Sequence, residues 1–124
     1  MLYHGIDITP VARVREMLDR HGDSFREKCF TAAEATHCDA GGRTAEHYAG
    51  RFAAKEAVLK ALGTGWSGGI AWTDVEILAL PGGEPRVALH GKAAQAAMAR
   101  GITAWAISIS HTDELAIASV IGTA

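Results

Sequence analysis

Glu56 and Lys60 stand in the run Arg51-Phe-Ala-Ala-Lys-Glu-Ala-Val-Leu-Lys-Ala-Leu-Gly-Thr-Gly65, which is otherwise nearly apolar. At 100° per residue, four positions bring the two charges within about 40° of each other on one helical face. A carboxylate and an ammonium on a helix this apolar are costly to desolvate unless paired or bound to something charged. One outcome is an internal Glu–Lys pair, worth about 0.2–0.5 kcal/mol. The other is part of a phosphate site, with Glu56 holding a hard divalent cation and Lys60 offering a point charge to a phosphate oxygen. Asp7 bears on the choice. It is a carboxylate inside the apolar opening segment, just before Thr9-Pro10. Asp caps helices well, but Thr9 is better placed to do so, which leaves Asp7 spare. Mg²⁺ takes one or two protein carboxylates and fills its shell with phosphate oxygens and water. Ser108-Ile-Ser-His111 ends a strand in a histidine. That residue suits a surface or capping role, or a proton shuttle near neutral pH.

The elements that must position these groups follow from periodicity and punctuation. Residues 2–8 predict a strand, and Thr9 predicts an N-cap with Pro10 in the first helical position. Val11, Val14, Met17 and Leu18 give a helical stripe up to Gly22. Thr31 and Glu34 form a capping-box pattern for a helix over 32–38. Thr44 predicts the cap of a long helix through Leu62, stopped by Gly63. Strands are expected over 74–80 and 86–90, joined around Pro81–Pro85, then a helix over 92–100 and strands over 104–110 and 115–121. This order predicts an α+β fold in a single domain, residues 1–124, with helices packed on an antiparallel-rich sheet.

Composition narrows the classes. The chain of 124 residues is 48% hydrophobic, enough for one core, and no apolar run is long enough to span a bilayer. The formal net charge of -2 argues against a nucleic-acid binder. Cys29 and Cys38 match no zinc spacing and are too few to staple the fold, so free thiols and a cytoplasmic setting are expected. The opening residues lack the basic and apolar regions of a secretory signal. Gly63-Thr-Gly-Trp-Ser-Gly68 matches G-x-G-x-x-G, and Glu84 stands near the spacing of a ribose carboxylate. These glycines follow a helix, whereas a dinucleotide site needs them after a strand. A helix stop and loop explains them, with backbone approach to a ligand phosphate as the alternative.

Taken together, Gly5-Ile-Asp-Ile8, the Arg51–Gly65 motif and Ser108-Ile-Ser-His-Thr112 followed by Ala116-Ile-Ala118 occur in the order and spacing of the holo-(acyl-carrier-protein) synthases, small bacterial 4′-phosphopantetheinyl transferases. The chain resembles that family over essentially its whole length. The resemblance implies transfer of 4′-phosphopantetheine from coenzyme A to a serine of an apo acyl carrier protein, releasing adenosine 3′,5′-bisphosphate. It implies Mg²⁺ on Asp7 and Glu56, with Asp7, Glu56, Lys60 and His111 as the catalytic set. Coenzyme A would be bound by Arg51, Lys60, Gly63, Thr64, Gly65 and His111. Family members are homotrimers with sites between neighbouring subunits, while larger relatives fuse two such units. Arg13 matches a family docking position for the acidic carrier. Residues 10–28 nevertheless carry five Arg and Lys against four acids, a balance of one positive charge. His4 departs from the apolar residue or glycine usual before Gly5. A non-catalytic nucleotide-binding or regulatory module is the competing expectation.

Overall fold

The computed structural model describes residues 1–124. β1 (Leu2–Pro10) opens the chain and pairs antiparallel with β5 (Leu115–Thr123), which pairs antiparallel with β4 (Ala104–His111). A second sheet is the antiparallel hairpin of β2 (Val75–Ala79) and β3 (Pro85–Leu89). The helices are α1 (Val11–His21), α2 (Asp23–Cys29), α3 (Ala32–Asp39), α4 (Thr44–Leu62) and α5 (Gly91–Ala99). The fold is α+β, with two small antiparallel sheets where the sequence suggested one.

Local chemistry explains most boundaries. Thr31 and Glu34 form the expected reciprocal capping box of α3. Gly63 ends α4 at φ 73°, where its N–H donates to the carbonyls of Leu59 and Lys60. Two expectations are corrected. Thr9 does not cap α1. The ladder with β5 continues through Thr9↔Ala116 and Pro10↔Leu115, so Pro10 becomes the N-cap and Thr9 remains an inward strand residue. Its hydroxyl donates to Asp7 Oδ2 at 2.8 Å. Likewise Thr44 is the first helical residue, and Arg43 precedes it at φ 61°.

α4 is the spine of the domain. Its second half packs with β2, α5 and β5 in one core cluster; its first half joins α1, α2 and α3 in another. Burial on nearly every side accounts for its lack of an amphipathic pattern. The approach to β1 is close. A Cβ on Gly5 would lie 1.8 Å from the Ala57 carbonyl oxygen, so only glycine permits this seat. Strand alternation turns Gly5, Asp7 and Thr9 toward α4 and leaves Leu2, Ile6 and Ile8 outside. Together with Leu115 these outer residues are 45–68% exposed.

Candidate active site

Strand β1 and helix α4 bring Asp7 and Lys60 together. Lys60 Nζ donates to Asp7 Oδ1 at 3.2 Å and to the Ile6 carbonyl at 2.9 Å. Both residues line an open cavity of about 340 Å³ with Ile6 and Ile8. Lys60 is half exposed and Asp7 is mostly covered, so the lysine can swing while the carboxylate stays fixed.

Glu56 lies one turn earlier on α4 and does not pair with Lys60. Its Oε1 accepts from the indole Nε1 of Trp66 at 3.4 Å, and Oε2 takes no protein donor. Trp66 packs at a tilt against Trp72 with ring centroids 3.8 Å apart, and Trp72 stacks on Phe52 at 4.8 Å. The Gly63-Thr-Gly65 turn is thus tethered to the helix that carries Glu56. Within it, Thr64 donates to the Gly65 carbonyl. Asp7 and Glu56 supply two hard carboxylates, one with an unused oxygen, and no third His, Cys, Asp or Glu joins them. That donor set suits Mg²⁺, which leaves most of its shell to phosphate and water.

Arg51 and His111 lie elsewhere. Arg51 is nine residues before Lys60, so it is about 13 Å back along the helix axis and roughly 180° around it. His111 ends β4, two strands from Asp7 and hence about 10 Å across the sheet. Its ring meets His47 edge-on, centroids 6.4 Å apart, and His47 lies 5.9 Å from His37. Within one chain, then, the residues expected to bind coenzyme A form two groups on opposite faces of α4. The sequence alone held the signal for this, since nine positions at 100° make a half-turn.

The structure adds residues not singled out from sequence. Lys55 and Glu34 are fully buried and paired at 2.8 Å. Lys55 also donates to the carbonyls of Trp72 and Val75, and Glu34 accepts from the backbone N–H of Thr31 and Ile77. An unbranched charge inside an apolar run was the available clue to Lys55. Arg13 lies on the exposed rim of a groove of about 400 Å³ floored by Met17, Phe25, Phe52 and Trp72, with Lys28 and His21 beside it. Arg15, Arg20 and Arg26 are each occupied by a carboxylate, whereas Arg13 has none.

Residues 4–118 match the model of the 4′-phosphopantetheinyl transferase superfamily. The chain belongs to that superfamily. It is 46% identical to the holo-(acyl-carrier-protein) synthase of Koribacter versatilis, covering 94% of each chain. It is 50% identical to the synthase of Desulforudis audaxviator, covering 94% of this chain and 88% of the other. Its fold superposes on the Helicobacter pylori synthase in complex with coenzyme A with a TM-score of 0.85 at 30% identity, over 97% and 99% of the two chains. The Neisseria meningitidis synthase gives a TM-score of 0.88 at 26% identity, over 98% of both chains. No helix is long and apolar enough to cross a membrane.

Proposed function

We propose that the whole chain, residues 1–124, acts as a holo-(acyl-carrier-protein) synthase, moving 4′-phosphopantetheine from coenzyme A to the serine of an apo acyl carrier protein. The observation that carries this reading is the Asp7–Lys60 pair beside Glu56, a carboxylate, ammonium and carboxylate set at one strand–helix seat. The serine oxygen forms a bond to the β-phosphorus and the pyrophosphate P–O bond breaks, releasing adenosine 3′,5′-bisphosphate. Catalysis of this kind is positioning and charge neutralisation. Bound Mg²⁺ would neutralise the pyrophosphate and the departing bisphosphate. Asp7 and Glu56 would hold it, and Lys60, released from Asp7, would turn its ammonium to a phosphate oxygen. Gly63-Thr-Gly65 follows Lys60 at the end of α4 and would offer its backbone to the ligand phosphate. Glu56 would hold the cation through one carboxylate oxygen, and the other is the group we assign to take the serine proton. His111 serves the nucleotide in this reading. Incubation with coenzyme A, Mg²⁺ and an apo-carrier should add about 340 Da to the carrier by mass spectrometry. Binding without that adduct would instead favour a non-catalytic nucleotide module.

The opposite faces of α4 support a site shared between subunits of a homotrimer. Lys60, Asp7 and Glu56 of one chain would meet Arg51 and His111 of a neighbour, and the exposed apolar face of the three-stranded sheet suits burial against other copies. Mixing Lys60→Ala with Arg51→Ala subunits should then restore about a quarter of wild-type activity by random assortment, because some interfaces join two intact halves. No recovery after subunit exchange, or full activity in a sedimenting monomer, would contradict the shared site.

Arg13 and its groove support docking of the carrier. The unpaired charge suits an acidic helix, and the apolar floor suits a side chain inserted beside it. Arg13→Glu should raise the Michaelis constant for the carrier about tenfold and leave coenzyme A affinity unchanged. An unaltered carrier constant would place docking elsewhere. We assign the enzyme to the cytoplasm, where the buried, unpaired thiols of Cys29 and Cys38 stay reduced.

A further inference from the structure

Arg51 is 7% exposed, yet its guanidinium makes no ion pair, and its Nε is buried without any hydrogen-bond partner. The Nδ1 atoms of His47 and His111 are in the same condition. Three unsatisfied nitrogens therefore gather between α3, α4 and β4, with His37 on the exposed rim beside His47. The surrounding charges do not relieve them. On α3, Asp39 is taken by Arg26, and the Cys38 thiol is held neutral, pushed up to about 12 chiefly by burial. On α4, Glu46 is taken by Arg15. Asp113 and Glu114 lie in the turn after β4 and pair with none of these groups. A nearly buried cation without a counter-charge, walled by imidazoles, is a place prepared for an anion.

We propose that His37 and His47 join Arg51 and His111 in gripping the terminal phosphate monoester of coenzyme A, and that protonation of His37 makes its recognition depend on pH. The inference rests on the coenzyme A reading above and adds two residues that the family resemblance does not assign. Arg51 supplies a charge that persists at every working pH. Burial, then the charge of Arg51 and then His47 hold His37 below its ordinary pKa in the free protein. A bound dianion reverses the electrostatic part of that balance, so binding draws a proton onto His37. Affinity for the phosphomonoester therefore rises as pH falls through the imidazole range. The ligand's own titration runs the other way, because a phosphomonoester gains its second charge as pH rises past about 6. A preference that weakens toward alkaline pH consequently belongs to the protein.

The test is calorimetric titration of the whole enzyme with coenzyme A and with 3′-dephospho-coenzyme A, at about pH 6.5 and about pH 8.5, in buffers of different ionisation enthalpy. The wild type should prefer coenzyme A about tenfold more strongly at the lower pH and take up protons on binding it. His47→Gln should weaken the preference for coenzyme A at both pH values and leave binding of 3′-dephospho-coenzyme A unchanged. His37→Ala, altered at an exposed position, should lose most of the pH dependence and the proton uptake and checks against misfolding of the other variant. A wild-type preference equal at both pH values would overturn the inference while leaving the function intact, as would full pH dependence in His37→Ala or an undiminished preference in His47→Gln. Failure of coenzyme A to bind at all would overturn the function and this inference together.

Discussion

Asp7→Asn and Glu56→Gln are each expected to lower turnover by about three orders of magnitude or more, with the fold retained. Both substitutions keep size and most hydrogen-bonding capacity while removing the negative charge a divalent cation needs. Loss of one electrostatic group of this kind is worth roughly 10²–10³ in rate, and loss of a metal ligand also empties the site the pyrophosphate needs. The fold should survive because Asp7 is tied only to Thr9 and Lys60, and Glu56 only to Trp66. Initial rates against Mg²⁺ concentration decide the matter. Variants that reach wild-type rates with unchanged Mg²⁺ dependence would leave Asp7 as a partner for Lys60 and nothing more. The helix-pair alternative for Glu56 already has little support, since Lys60 turns to Asp7 and not to Glu56.

Lys55→Met should be the most damaging single change to stability, about 3–5 kcal/mol by urea unfolding, because it strands the Glu34 carboxylate in the core. Burial pulls the Lys55 ammonium below its ordinary pKa, with Glu34 working against that pull. The pair is therefore expensive to keep and more expensive to halve. Three backbone segments also lose an anchor, since this one ammonium ties α4 to the carbonyls of Trp72 and Val75 and, through Glu34, to α3 and β2. Lys55→Met with Glu34→Leu should recover only part of the loss, because the N–H groups of Thr31 and Ile77 would still lack their acceptor. A loss under about 1 kcal/mol in the single variant would mean that water reaches the pair.

Much of this architecture could be read from local chemistry. Gly63 stops α4 where a left-handed residue is required, and the Thr31–Glu34 box starts α3, because both signals act within one turn of chain. The hairpin around Pro81–Pro85 is local in the same sense. Other features depend on distant partners. Glu34 looks like a capping residue until Lys55, 21 positions away, arrives beneath it. Thr9 looks like a cap until β5 extends the ladder past it. Helix α2 follows Gly22 at once and leaves no signature in the sequence, its seven residues being too short for a periodic signal. In the candidate site, Asp7, Glu56 and Lys60 draw notice in the sequence because charged residues stand out on apolar elements. His47 and Trp66 were not, since an imidazole or an indole carries no such contrast until its neighbours are known.

The seating of α4 on Gly5 has a consequence for how this enzyme can change over generations. Where a strand and a helix meet through side chains, their spacing drifts whenever those side chains are exchanged. Here backbone meets backbone, and the carbonyl of Ala57 sits where any Cβ would have to go. The span between the Asp7 strand and the Glu56 helix is thereby fixed at one point by van der Waals contact between two backbones. Core positions away from that point, such as Val58 and Val120, are free to vary in size at a cost in stability alone. Heat tolerance and catalytic spacing become separable properties, open to independent adjustment, with a single glycine as the hinge pin that neither can afford to lose.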